Sequence, residues 1–159
     1  MRSAIASVAL AALALAGSVH AEERKNWFDD PFVQVTAAIA ACPVPEGPLM
    51  TEAEARVQAH VRSERGLRCY LSGQCRLSSS YMYDKEIVAR VKKAILADGR
   101  FAETSVWAEG QRRWVTLKGC VRRGEQAEAL VRLVRSIDEV DRVFDRLEVT
   151  SPGPRPTRR

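Results

Sequence analysis

Apolar and polar residues follow a regular plan in the second half of the chain. From Asp84, the segment DKEIVARVKKAILADG repeats apolar residues at helical spacing and stops at Gly99. A 3.6-residue repeat of this kind predicts an amphipathic helix, and Asp84 is a suitable N-cap for it. We expect one face of this helix to be apolar, with Ile87, Val88, Val91, Ala94 and Ile95 on it.

Two β-rich runs, a second helix and a third strand follow. The sequence TSVWAEGQRRWVTLKGCV predicts a hairpin that turns at Gly110-Gln111. The segment GEQAEALVRLVRSID has the apolar spacing of another amphipathic helix, and VDRVFDRLEV alternates like a strand. The order αββαβ predicts an α+β domain over residues 84–150, in which two helices cover one face of a three-stranded sheet.

The first half is less regular, and we expect it to form a helical extension over residues 22–83. PFVQVTAAIAAC predicts a short helix, and LMTEAEARVQAHVRSERG predicts a longer one with a Thr51–Glu54 capping box and an end at Gly66. A Ser-rich joint, RLSSSYMYD, precedes the domain. The longer helix has only a narrow apolar stripe, so it can lie on a neighbour but cannot stand alone; the stripe is Ala53, Val57 and Val61.

The N-terminus has the pattern of an export signal. Arg2 precedes an apolar run that ends in Val19-His20-Ala21, which predicts a signal peptide over residues 1–21, cut after Ala21. Further on, Ile39-Ala40-Ala41-Cys42 is close to a lipidation box. The apolar stretch before Cys42 is short and follows two aspartates instead of a basic segment, so we favour a cysteine without lipid.

Four cysteines lie beyond the leader: Cys42, Cys69, Cys75 and Cys120. An even number in an exported chain predicts two disulfides, and three pairings are open. Cys69 and Cys75 could close a small local loop, which would leave Cys42 with Cys120. The alternative is a zinc site formed by His60, Cys69 and Cys75, but their spacing matches no standard ligand pair.

Net charge is concentrated in the tail. The chain has a formal charge of +5, but residues 22–150 carry only +1 once Arg2 and the tail arginines are left out. The tail, SPGPRPTRR over residues 151–159, predicts a disordered basic segment. Because the folded part is nearly neutral and the chain is exported, we expect no nucleic-acid partner. We also expect no transmembrane helix after the leader.

Strand alternation places aromatic residues on the sheet face opposite the helices. Trp107, Trp114 and Phe144 share this open face with Cys120, and the predicted turn sets the two tryptophans roughly opposite each other. Such a face is either a binding surface or is covered by the extension. Because a disulfide from Cys120 would hold the extension against it, we expect a covered face with both tryptophans buried. Gly119 is expected to let a helix approach its strand closely.

The second half resembles a BON domain. VTLKGCV is similar to the family's V-x-L-x-G-x-V strand, and it lies between an Asp-led helix and a helix that leads into IDEVDRVFDRLEV. The family usually has Gly where this chain has Glu139, and often Asn where it has Asp145. The resemblance implies a periplasmic, non-enzymatic protein linked to envelope integrity, osmotic stress and phospholipid binding.

The residues themselves give no contrary chemistry. His60 is the one histidine beyond the leader, so no Ser-His-Asp set is easily assembled, and we expect neither catalysis nor a cofactor. The predicted partner is an anionic phospholipid surface, and the alternative is an envelope protein bound by a soluble adaptor or chaperone-like stress protein. The candidate contacts are basic: Arg112, Arg113, Lys118, Arg122, Arg123, Arg155, Arg158 and Arg159.

Overall fold

The computed structural model describes residues 22–150. The predicted leader, its cleavage site and the basic tail with Arg155, Arg158 and Arg159 lie outside the described residues. Within them, four strands form a single sheet in the order β1-β2-β3-β4. The strands are β1 (Phe32–Gln34), β2 (Ser105–Gln111), β3 (Trp114–Val121) and β4 (Arg142–Val149).

Four α-helices follow β1 along the described part of the chain. They are α1 (Glu52–Gly66), α2 (Arg68–Leu71), α3 (Asp84–Ala97) and α4 (Gly124–Arg135). Strands β2 and β3 pair antiparallel as a hairpin, whereas β4 returns through α4 and pairs parallel to β3. The predicted αββαβ order and the α+β class are confirmed, with one strand more than expected.

The main core lies between the sheet and the helices α3 and α4. Ile87, Val91, Leu117 and Leu130 are almost fully buried there, as the helical and strand periods predict. Strand β4 contributes less, because Val143 is buried but Val149 is 56% exposed. This packed layer of side chains holds the sheet in place, and the other face of the sheet points away from α3 and α4.

The extra strand corrects the prediction of a helix over residues 31–42. The segment enters as β1, which pairs antiparallel with β2 and places Val33 opposite Ala108. The backbone then continues along β2, with the Val35 N–H donating to the Val106 carbonyl at 2.8 Å. The alternating valines fit a pleated surface, and the free edge of β2 supplies the hydrogen-bond partners that a helix would have found within itself.

The longer helix of the extension begins and ends where the sequence predicts. Thr51 and Glu54 form the capping box, and α1 ends at Gly66. The predicted apolar stripe is wrong, since Val57 is 65% exposed while Ala55 is buried. The helix is anchored instead by ionic and aromatic contacts made by one residue on its inner side: Arg62 pairs with buried Asp30 and stacks between the rings of Phe28 and Tyr81.

The hairpin turns two residues later than predicted. Gln111 pairs with Trp114, so the turn residues are Arg112 and Arg113, both left-handed with φ of 59° and 64°. Trp107 therefore lies opposite Lys118 instead of Trp114. A two-residue turn of this kind normally uses Asn or Gly.

Buried Asp84 compensates for this unusual turn. Its carboxylate accepts the backbone N–H groups of Arg112 at 2.7 Å and Arg113 at 2.6 Å. Asp84 is thus the first residue of α3 and not the N-cap that the sequence suggests, since the cap position falls on Tyr83. Burial raises the pKa of Asp84 to about 6, although the two N–H groups favour its ionised form.

Two glycines of the hairpin allow close approaches, but only one of them faces a helix. A Cβ on Gly110 would lie 2.7 Å from Cγ2 of Val88 in α3. Gly119, for which the sequence suggested that role, has φ of 114° and lies against the Ser105 carbonyl and the Trp107 ring. That prediction is wrong, because the close neighbours of Gly119 belong to β2.

Candidate functional site

The outer face of the sheet, opposite α3 and α4, is divided into a covered end and an open end. At the covered end, Trp107 is only 5% exposed and packs with Ile39, Cys42, Cys120 and Phe32. Ile39, Cys42 and Phe32 belong to the extension, as expected for a covered face, and Cys120 belongs to β3. The Ser105 hydroxyl adds a hydrogen bond from the backbone N–H of Ile39 at 2.8 Å.

The described cysteines form two disulfides. Cys42 pairs with Cys120, with 5.8 Å between their Cα atoms, and Cys69 pairs with Cys75 across 5.2 Å. This is the pairing that a local loop at Cys69 implies. A lipid on Cys42 and a zinc site using Cys69 are both incompatible with it, because those sulfur atoms are already bonded.

The extension does not cover the other end of the outer face. Trp114 is only half-buried and Phe144 is 38% exposed, which corrects the expectation that the extension buries both tryptophans. Their rings meet edge to face, with centroids 5.5 Å apart. The Trp114 indole N–H donates to Asp141 at 2.7 Å. This arrangement leaves an aromatic pair at the surface in a fixed orientation.

Arginines surround that aromatic pair. The guanidinium of Arg112 lies 3.8 Å from the centroid of the Trp114 ring, and that of Arg142 lies 5.4 Å from it. Arg142 is the partner of Trp114 in the β3–β4 register. Within residues 22–150, neither guanidinium has an ion pair with a carboxylate.

Beside the aromatic pair, a cleft separates the hairpin turn from the extension. Its volume is about 250 Å³, and Ser80 and Asp141 are among the residues that line it. Most of the other polar lining is basic and comes from four segments of the chain: Arg65, Arg68, Arg112, Arg113 and Arg142. We call these five residues the arginine cluster.

Two of the basic residues predicted to contact a ligand already bind other groups of the protein. Lys118 donates to Glu109 at 2.6 Å and to the Glu46 carbonyl at 2.9 Å. Arg113 donates through Nε to the Glu139 carbonyl at 2.8 Å and through Nη1 to Cys75 Sγ at 3.0 Å. Lys118 therefore has little freedom to contact a ligand, and Arg113 forms a fixed wall of the cleft.

The other predicted contact residues within residues 22–150 lie in two separate places. Arg112 lies in the cleft, whereas Arg122 and Arg123 line a separate depression with Ala38 and Glu103. The structure therefore does not unite the predicted basic residues in one site. Arg65, Arg68 and Arg142, which sequence reasoning missed, join Arg112 instead.

The two departures from the BON pattern have clear structural consequences. Glu139, where Gly is usual, is left-handed with φ of 67°, and its carboxylate binds Arg90 at 2.7 Å and Arg76 at 3.2 Å. Burial alone would raise the pKa of Glu139, but these two arginines lower it overall. Asp145 accepts the Leu147 N–H at 2.9 Å, a role that Asn would also fill.

Two further features bear on function. Among residues 22–150, no three His, Cys, Asp or Glu side chains are placed to hold a metal ion. No helix in the same range has the length and apolar character needed to cross a membrane. The candidate site consists of the arginine cluster, the aromatic pair of Trp114 and Phe144, and the buried Ser80.

Comparison with known proteins identifies the domain that carries the hairpin. A search of curated proteins found no match to the chain. A family model described as BON domain matches residues 83–151, which include α3, the hairpin, α4 and β4. This family consists of non-catalytic binding modules of the phospholipid-binding, envelope-associated type. The disulfides are consistent with a periplasmic location. The C-terminal part of the chain, residues 83–151, is a BON domain.

Proposed function

We propose that this protein binds anionic phospholipid at the periplasmic membrane surface, without catalysing a reaction, and supports the envelope under stress. The observation that carries the proposal is the open end of the outer face. There Trp114 meets Phe144 edge to face, and its ring lies near Arg112 and Arg142, two cations with no carboxylate partner in residues 22–150. The BON match supports the lipid partner.

The chemistry of this surface suits a bilayer interface. Aromatic rings with a polar edge favour the headgroup level, and arginines near an anionic leaflet each contribute about 1 kcal/mol. The tail residues Arg155, Arg158 and Arg159 add the same kind of attraction beyond Thr150. We expect peripheral, salt-sensitive attachment, since both sources of charge act at the surface.

Co-sedimentation with vesicles tests this function. Full-length protein should sediment with phosphatidylglycerol-containing vesicles and remain in the supernatant with phosphatidylcholine vesicles. A chain ending at Thr150 should bind the anionic vesicles more weakly but measurably, because Arg112 and Arg142 remain. Equal binding to both kinds of vesicle, or none to either, would contradict the proposal.

A second candidate function is a protein–protein adaptor. Strand β4 is the last strand of the sheet in the described part of the chain, and its eight residues pair only with β3. An exposed edge of this length can accept a strand from another protein. Such an adaptor would be indifferent to vesicle charge, so the same sedimentation experiment separates the two candidates.

A further inference from the structure

The cleft beside the open end contains an unsatisfied hydrogen-bonding group as well as positive charge. Ser80 is 4% exposed, and its buried hydroxyl has no hydrogen-bond partner. Ser80 lines the same cleft as the arginine cluster. A buried hydroxyl without a partner costs free energy, which a ligand that accepts its hydrogen bond would recover.

The charge of the cleft is also unbalanced. Among the residues that line it, Asp141 is the only acid, and its Oδ2 already accepts the Trp114 indole N–H. In residues 22–150, Arg65 and Arg68 form no ion pair and donate no side-chain hydrogen bond. Several guanidinium groups and a hydroxyl that line one cleft suit a phosphate, whose oxygens accept bidentate bonds from arginine and a bond from serine.

We propose that the cleft binds the phosphate group of an anionic phospholipid, with Ser80 donating to a phosphate oxygen and the arginine cluster neutralising its charge. The proposal rests on the proposed function and assigns its headgroup site. Half of this site comes from outside the BON domain, because Arg65 lies on α1, Arg68 lies on α2 and Ser80 precedes residue 83. The extension is therefore part of the binding site as well as a cover for the sheet.

The apolar surroundings of the cleft favour a lipid over a free anion, and its size is compatible with a headgroup. A cleft of about 250 Å³ is smaller than the pockets of about 300–1,000 Å³ that enclose whole small ligands, so it suits a headgroup. The helix that carries Arg68 also exposes apolar side chains, with Tyr70 48% and Leu71 77% accessible. Apolar groups next to a phosphate site match the boundary between headgroups and acyl chains.

Three variants with substitutions in the cleft test the proposed headgroup site. Arg65→Lys/Arg68→Lys keeps the charge but removes the bidentate donors, and Ser80→Ala removes a hydroxyl that has no partner in the protein. Arg65→Gln/Arg68→Gln should weaken binding to phosphatidylglycerol vesicles roughly thirtyfold, from two surface arginines. The Lys pair and Ser80→Ala should each weaken it severalfold with unchanged melting temperature.

Lys92→Gln/Lys93→Gln is the matched control, since both lysines are exposed on α3 outside the cleft. It should change vesicle affinity little. If wild type binds anionic vesicles but the Arg65/Arg68 and Ser80 variants behave like this control, the headgroup site is wrong while the proposed function stands. If wild type binds no vesicles, the proposed function itself fails.

A titration with inorganic phosphate distinguishes binding of a lipid headgroup from binding of free phosphate. Amide NMR shifts at Ser80 should respond to phosphatidylglycerol carried in small bicelles at far lower concentrations than to inorganic phosphate. Saturation of the cleft by inorganic phosphate, combined with vesicle binding that ignores the cleft variants, would overturn the assignment to a lipid.

Discussion

Removing the Cys42–Cys120 disulfide is expected to destabilise the protein by roughly 4 kcal/mol. The bond joins residues 78 positions apart, for which loss of loop-closure entropy in the unfolded chain accounts for about 4.5 kcal/mol. Urea unfolding of Cys42→Ala/Cys120→Ala measures the change. Limited proteolysis should then cut the extension first, because the bond fixes it over Trp107, while residues 84–149 stay folded.

The second disulfide provides a matched control. Cys69→Ala/Cys75→Ala also removes two sulfurs, but the bond spans only 6 residues, for which the same relation gives roughly 2 kcal/mol. The longer bridge should therefore be the more costly to lose. Equal losses from both double variants, with an unchanged digestion pattern, would show that Cys42–Cys120 does not hold the extension in place.

Replacing Asp84 by Asn is expected to cost roughly 2–4 kcal/mol. The carboxylate accepts two backbone N–H groups from a left-handed Arg-Arg turn, and an amide can accept only one while directing its own N–H₂ at the other. Glu86→Gln, an exposed acid in the same first turn, removes the same charge without the turn contacts. Urea unfolding should show a small loss for that control, and comparable losses for the two variants would refute the role of Asp84.

The same carboxylate gives stability a specific pH dependence. Burial raises the pKa of Asp84 from 3.8 to about 6, so between these values the folded state binds more protons than the unfolded state. The pH-dependent part of Asp84's contribution to the free energy of unfolding is therefore largest below pH 3.8 and is lost as pH rises through about 6, while its bonds to the turn N–H groups remain. Wild type should show this decline relative to Asp84→Asn, and parallel pH curves would contradict it.

The helical face of the domain was predictable because its signals are local. The spacing of apolar residues in α3 and α4 and the alternation in β3 each arise within a single segment, and nearby residues satisfy them. The capping box of α1 is similarly local. Such patterns predict the order of elements and one buried face, which the structure confirms.

Predictions failed where a distant segment decided the local structure. Residues 31–38 follow the edge of β2 instead of forming a helix, because that edge offers backbone partners roughly 70 residues away in sequence. The hairpin turn falls on two arginines because Asp84 stabilises their left-handed backbone. Neither partner is visible in the sequence of the segment it controls.

The candidate site could be predicted only in part for the same reason. Alternation placed Trp114 and Phe144 on one face, and the basic turn drew attention to Arg112. Arg65, Arg68 and Ser80 carry no local motif, and they meet Arg112 only because the extension folds back on the hairpin. The signal that could have pointed to them is the run of arginines around Gly66 and Cys69, which has few acids beside it.

Tryptophan fluorescence tests most directly the claim that the open end of the outer face is the lipid-binding surface. In Trp27→Phe, emission comes from buried Trp107 and half-buried Trp114. Phosphatidylglycerol vesicles should shift this emission to the blue, whereas phosphatidylcholine vesicles should not. Trp27→Phe/Trp114→Phe, which retains only Trp107, should show no shift. An equal shift in that double variant, or no shift in Trp27→Phe despite binding, would contradict the account.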